Sequence, residues 1–220
     1  MTVESDYKKY RTWFTLFLVF LLAGFLIGAL AYNGQFNLYR DPFSDLGASE
    51  TPEGKDNHAS MAIFVVNMAI TAIIFSRIAV MFARDATVPF RGFRVLFSIT
   101  AAMGACIATF PNNIFLAQHQ LGAGFLVGSL WMHANFFIAD ASRATSKMHG
   151  FFLQLLLQST VLTYAVAFVV QAPNRDTIQK FAITGLALAI ELSLASLCKV
   201  SVPDTDTADE GEVNGTKLNH

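Results

Sequence analysis

Residues 13–32 read WFTLFLVFLLAGFLIGALAY, twenty residues without one charged side chain. A helix rises about 1.5 Å per residue, so the stretch reaches about 30 Å, the thickness of a bilayer's hydrocarbon core. The competing reading is a secretory signal cleaved after Ala29-Leu30-Ala31, but the apolar core of a signal holds only about 7 to 15 residues. Trp13 and Tyr32 sit where interfacial aromatic anchors belong. The stretch is therefore read as a retained membrane span, and it sets the solvent in which the rest of the chain must fold.

Five more stretches pass the same test of length and apolarity: Ala59–Ala83, Phe93–Phe110, Ile114–Ala139, Phe151–Val170 and Ile178–Leu197. The third span of the chain, Phe93–Phe110, is the shortest. Composition agrees, since 54% of the 220 residues are hydrophobic, 14% are charged and 21 are Phe. Soluble domains carry roughly 25% charged residues, and a chain this short cannot bury so much apolar surface from water. The expected fold is all-α, a polytopic membrane protein built as a six-transmembrane-helix bundle over residues 13–198.

Basic residues favour cytoplasmic loops. Lys8, Lys9 and Arg11 precede the first span; Arg84, Arg91 and Arg94 lie between the second and third; Arg143 and Lys147 lie between the fourth and fifth; and Lys199 follows the sixth. The opposite side carries Arg40, Lys55, Arg175 and Lys180. The expectation is an integral, multi-pass protein with both termini cytoplasmic, a short N-terminal tail (1–12), an external loop (33–58) and a disordered acidic tail (199–220). The sequon Asn214-Gly215-Thr216 would then face the cytoplasm and stay unmodified.

The net charge of -1 gives no field for nucleic acid. Cys106 and Cys198 fall in different spans and read as packing residues rather than as a disulfide or metal pair. No H-x-x-x-H pair or nucleophile elbow occurs, so no metal and no cofactor is expected.

Polar residues inside a span are the first functional candidates, because each costs on the order of 2.5 to 3.5 kcal/mol unless paired or hydrated. Glu191 lies about 12 Å inside the last span by helical rise. It reads either as a carboxylate that accepts a proton, metal or lipid head group, or as a hydrogen-bonding partner of Gln154 or Gln158 in the fifth span. His119, Leu126, His133 and Asp140 recur every seven residues and share one stripe of the fourth span. His119 and His133 stand about 21 Å apart along it, too far to share a metal. Gly24-x-x-x-Gly28 and Gly124-x-x-x-Gly128 offer flat faces for packing within the bundle or for a homodimer.

The external loop contains Arg40-Asp41-Pro42-Phe43-Ser44-Asp45-Leu46-Gly47, in which Ser44 and Asp45 read as helix-capping or Asx-turn residues. Ser44-Asp45-Leu46-Gly47 after the first span, His119-Gln120-Leu121-Gly122 near the head of a later one and Glu191 in the last resemble the pattern of the domain of unknown function 998 family. The pattern is also similar to that of the Frag/DRAM/Sfk membrane family, although Leu46 and Gln120 depart from the latter. The resemblance covers residues 13–198 and implies a six-span membrane protein with lipid-linked relatives and no agreed reaction.

These readings converge on an outer polar pocket. Ser44, Asp45 and His119 are expected to face one another near the external surface, with Asn67 about 12 Å deep against about 8 Å for His119. The leading expectation is a non-enzymatic protein that binds or senses a lipid or small ligand there. The alternatives are a lipid hydrolase or transferase using Ser44 or metal-bound water with His119 and Asp45, and a small proton-coupled transporter centred on Glu191.

Overall fold

The computed structural model describes residues 3–200. Among these, six α-helices alternate in direction: α1 (Val3–Leu30), α2 (His58–Arg84), α3 (Arg91–Ile107), α4 (Leu116–Ala144), α5 (Lys147–Val169) and α6 (Arg175–Val200). A 3-10 turn, Phe43–Gly47, lies in the long connection between α1 and α2. All but α3 are long and apolar enough to cross a membrane. The large side chains that α1 leaves exposed are Leu16, Val19, Phe20, Leu22, Leu26, Ile27 and Leu30, which lipid alone would solvate. The chain is an all-α membrane protein.

Several helix boundaries differ from expectation, α4 running on to Ala144 and α5 starting at Lys147 among them. The third span, expected over Phe93–Phe110, is a helix of 17 residues that ends at Ile107, because Pro111 biases the residue before it away from helical geometry. Residues expected as an N-terminal tail join α1 from Val3 onward, where Tyr10 is buried and stacks on Phe82 at 4.4 Å. The expected tail at 199–220 is helical at Lys199 and Val200; its remainder, with the sequon, falls outside the described residues.

Helices α1, α2, α3, α4 and α6 form a closed ring of neighbours, and α5 lies outside it against α4 and α6. Phenylalanines fill the ring: Phe14 meets Phe75 and Phe137 edge-on at 5.8 and 5.2 Å. Between α3 and α4 the backbones nearly touch, since a Cβ at Gly104 would stand 2.6 Å from the Leu126 nitrogen. Of the two Gly-x-x-x-Gly faces, Gly24 and Gly28 turn inward onto Asn67, Leu46 and Ser60, whereas Gly124 and Gly128 meet nothing within 4 Å.

One charge network ties this ring together at the end that carries the chain termini. Arg94, read from sequence as a loop cation, is wholly buried within α3. Its Nη2 donates to Asp140 Oδ2 at 2.5 Å and its Nε to the Pro89 carbonyl at 3.0 Å. Its guanidinium lies over the rings of Phe82, Phe136 and Phe137 at 5.6, 5.1 and 5.1 Å. Asp140 also accepts from Tyr7 at 3.1 Å and from Arg143 at 2.6 Å. Next to it, His133 is fully buried, and its Nε2 lies 3.1 Å from Ser98 Oγ. That hydroxyl already donates to the Arg94 carbonyl at 2.8 Å, so the imidazole Nε2 is the donor to Ser98.

Removing one partner of a buried pair strands the other charge, a loss of about 3 to 5 kcal/mol, whereas replacing both with apolar residues is often neutral. Asp140→Asn is therefore expected to lower the unfolding temperature of the detergent-solubilised protein clearly, and the double variant Arg94→Met, Asp140→Leu to recover much of the loss. An unchanged unfolding temperature in Asp140→Asn would show that the pair does not hold the bundle.

Candidate functional site

At the opposite end, the 33–57 connection folds down over the mouth of the bundle. Pro42 fixes the entry, and the chain turns through the 3-10 segment with no side-chain cap. Ser44 and Asp45 therefore do not act as the capping residues their identity suggests. Apolar anchors hold the turn instead. Leu46 is buried, Phe43 stacks on Phe25 at 4.3 Å, and Gly47 approaches Phe64 so closely that a Cβ would lie 2.8 Å from its ring.

Polar contacts complete the attachment. Asn57, itself buried, donates to the carbonyls of Ala48 and Asp45 at 3.0 and 3.3 Å, and Ser60 Oγ donates to the Leu46 carbonyl at 3.0 Å. Asn113 receives the Ser49 N–H at 3.1 Å. From α6, Thr177 donates to the Tyr39 carbonyl at 2.6 Å and Lys180 Nζ to that of Asp41 at 2.8 Å. Lys180 also lies 5.4 Å from the centre of the Phe43 ring.

Beneath this lid lies a cavity of about 110 Å³ between α6 and the inner faces of α1, α2 and α4. Phe43, Ser44, His119 and Gln179 surround its upper end, and Phe17, Leu21, Leu126, Leu186 and Ile190 line its depth. His119 is buried, and its Nδ1 lies 3.0 Å from the Phe110 carbonyl. A carbonyl only accepts, so that nitrogen carries the proton.

Ser44 and His119 both line this cavity, whereas the other candidates stand apart. Asp45 does not pair with His119; its Oδ1 accepts from Asn112 Nδ2 at 3.0 Å. Asn67 packs beside Gly24 and donates to the Leu21 carbonyl at 3.3 Å, away from the cavity wall. Glu191 turns to α1, where Thr15 Oγ1 donates to it at 2.7 Å and Arg11 Nε lies 3.4 Å away. It does not meet Gln154 or Gln158, because those amides are taken by α4: Gln154 and Gln158 both donate to Asn135 Oδ1, at 3.1 and 3.2 Å, and Trp131 donates to Gln158 at 3.1 Å. Among the described residues, no three His, Cys, Asp or Glu side chains converge as a metal site would require.

Sequence reasoning passed over Gln179, Asn112 and Asn57. The available signals were Pro111-Asn112-Asn113 as a polar turn facing the loop and Gln179-Lys180 inside the first turns of the last apolar run. Neither says which partner it meets.

Asp41, Asp45 and Asp176 lie near one another by the lid, with Lys180 among them and Arg175 3.7 Å from Asp176. Burial pushes the Asp45 carboxyl above its ordinary range, and the charges of Asp41 and Asp176 add to this against the Asn112 hydrogen bond and Lys180. Burial, with Asp45, Asp41 and Glu53, likewise raises the Tyr32 hydroxyl to about 12. A carboxyl raised in the fold favours the folded state below its unfolded value of about 3.9, and loses that contribution as pH rises through the higher folded value. The wild-type protein in detergent should therefore lose more stability than Asp45→Asn as pH rises from about 4 toward neutrality. Parallel melting-temperature profiles for the two would show that Asp45 is not held in this way.

No family model matches this chain, and no curated protein or solved structure matches it either.

Proposed function

We propose that the chain is a six-span membrane protein, with both termini cytoplasmic, that binds a lipid or small ligand in the cavity beneath the 33–57 lid. The cavity itself carries this reading: an apolar space with Ser44, His119 and Gln179 gathered at one end, a lining of the kind found in ligand sites. Counting α3 as the sixth span rests on its place in the ring between α2 and α4, each long enough to cross. The orientation rests on the basic residues at the terminal end. Kinship with the domain of unknown function 998 family belongs to the same reading and rests on Ser44 to Gly47, His119 and Glu191.

The role is binding rather than catalysis. A hydrolase would need Ser44 activated by His119 and Asp45, yet Asp45 is held by Asn112 and the protonated ring nitrogen by Phe110. Transport through Glu191 is disfavoured by its engagement with Thr15 and Arg11 outside the cavity. If a dimer forms, its Gly-x-x-x-Gly contact is through Gly124 and Gly128, the open pair.

Two measurements test the reading. A cysteine in place of exposed Glu53 should react with an impermeant reagent on intact cells, and one in place of exposed Thr145 should not; equal labelling of both would refute the orientation. Protein extracted in mild detergent should carry a bound amphiphile visible by native mass spectrometry, and Ala123→Phe, which fills the cavity wall, should remove it while the protein stays folded. Equal occupancy in both proteins would place the ligand elsewhere.

A further inference from the structure

We propose that the groove between α2 and α3 on the outer surface of the bundle holds an acyl chain of an anionic phospholipid, whose phosphate is bound by Arg77, Arg84 and Arg91. The groove is separate from the cavity beneath the lid and does not depend on what that cavity binds.

The groove supplies the place for the chain. Small side chains on α2, those of Ala72, Ser76, Ala79 and Ala83, leave a concave space of about 610 Å³ against the stretch of α3 from Val95 to Ile107. Its walls are apolar, and the Ser76 hydroxyl donates to the Ala72 carbonyl at 2.8 Å. From Ala72 to Ala83 it runs about 16 Å by helical rise, close to the thickness of hydrocarbon in one leaflet, about 15 Å. Walls left without neighbours forfeit their dispersion contacts, so in a bilayer such a space is filled by a chain from the surrounding lipid.

The arginines supply the head-group site. Arg77 is exposed on α2, about 10 Å by helical rise from the last residue, Arg84. Exposed Ile73 and Val80 flank it, so it projects from a lipid-facing surface. No hydrogen bond or ion pair joins it to another described residue, and a charge at such a position is costly unless paired or hydrated. Phe14 meets Phe75 and Tyr10 stacks on Phe82, which sets Arg77 near the depth of Trp13 on α1, an interfacial level within reach of lipid phosphate. Val80 lines the groove, with Arg77 three positions before it and Arg84 four after it on the same face; Arg91 stands four before Val95 on α3. Arg84 and Arg91, both exposed, therefore flank the end of the groove nearest the chain termini, and Arg77 lies along its side. Side chains lean toward the N-terminus of their helix, which turns Arg84 toward Arg77.

Charge decides the lipid class. Between Asp56 and Asp140 the chain holds one acid, Asp85, and its carboxylate accepts from the hydroxyls of Tyr10 and Thr87 at 2.8 and 2.6 Å. A guanidinium binds phosphate through paired N–H donors. A lipid of net negative charge keeps that attraction whole, whereas the cation of a choline head group opposes it. A second copy of the chain seated on this groove about a twofold axis would bring two sets of arginines together, which favours lipid as the occupant.

The test uses the full-length protein, stripped of lipid in detergent and titrated with palmitoyl-oleoyl phosphatidylglycerol or the matching phosphatidylcholine, with bound lipid read by native mass spectrometry. The first phosphatidylglycerol should bind at least about tenfold more tightly than phosphatidylcholine, since each basic residue near an anionic head group strengthens binding about fivefold. Arg77→Gln combined with Arg84→Gln should bring the two lipids close to parity while the melting temperature holds, because both side chains are exposed. Ser76→Phe, which fills the groove and leaves every arginine in place, should abolish the tight adduct. Equal affinity for the two lipids in the wild-type protein would overturn the proposal, as would an unchanged preference in the arginine variant. Tight phosphatidylglycerol binding that persists in Ser76→Phe would show that the groove is not its site. A wild-type dimer that carries no lipid and becomes monomeric in Ser76→Phe would give the groove to a second copy. Should Ser76→Phe fail to fold, the arginine variant decides the question alone.

Discussion

The buried pair of Arg94 and Asp140 is the constraint on which the rest of the bundle depends. α3 is the shortest helix and cannot rely on length alone to fix its depth. The guanidinium fixes it, by binding α4 through Asp140, the preceding turn through Pro89 and three aromatic rings at once. Asp140 extends the tie to α1 through Tyr7, and Asp85, which accepts from Tyr10 at 2.8 Å, fixes the end of α2. In a low-dielectric interior such a charge is favourable only when paired, and the pairing holds here although Arg94 Nη1 and His133 Nδ1 are buried without a hydrogen-bond partner among the described residues. Depth and rotation of four helices follow from that requirement.

With the terminal end locked, the opposite end can remain hollow. There the helices are joined through the lid, whose attachments reach α2 through Ser60, the α3–α4 turn through Asn112 and Asn113, and α6 through Thr177 and Lys180. Because the lid supplies these contacts, α6 does not need to close on α1 and α4 along its first turns, and the slot beneath Phe43 stays open. The buried charge network lies at one end and the candidate binding site at the other, a division expected when a site must admit a ligand.

The polar residues within the apolar helices divide along the same line. Gln154, Gln158, Asn135 and Trp131 satisfy one another at the α4–α5 contact and act as interhelical adhesive. This explains how α5, with most of its surface facing outward, stays attached to the ring. Glu191 does the same for α6 against α1. Gln179 differs, because its carbonyl oxygen has no protein partner and it borders empty volume. Burial alone therefore separates adhesive from site less well than the question of what each polar atom touches.

The sequence by itself determined the all-helical membrane fold and its long apolar helices, because predominantly apolar runs of this length have one low-energy form in hydrocarbon. It also carried the seven-residue stripe of His119, Leu126, His133 and Asp140, all four of which are buried, since helical periodicity is a local property. Which partners those residues take was not legible. Asp45 with Asn112, Glu191 with Thr15 and Arg94 with Asp140 join residues far apart in the chain, through the rotation and depth of separate helices. Spacing within one helix does not encode either quantity. Only the tertiary structure decided that Ser44 and His119 share a cavity with Gln179 while Asp45, Asn67 and Glu191 do not, because a few ångströms of axial shift or a fraction of a turn carries a side chain from the slot to its neighbour's interface.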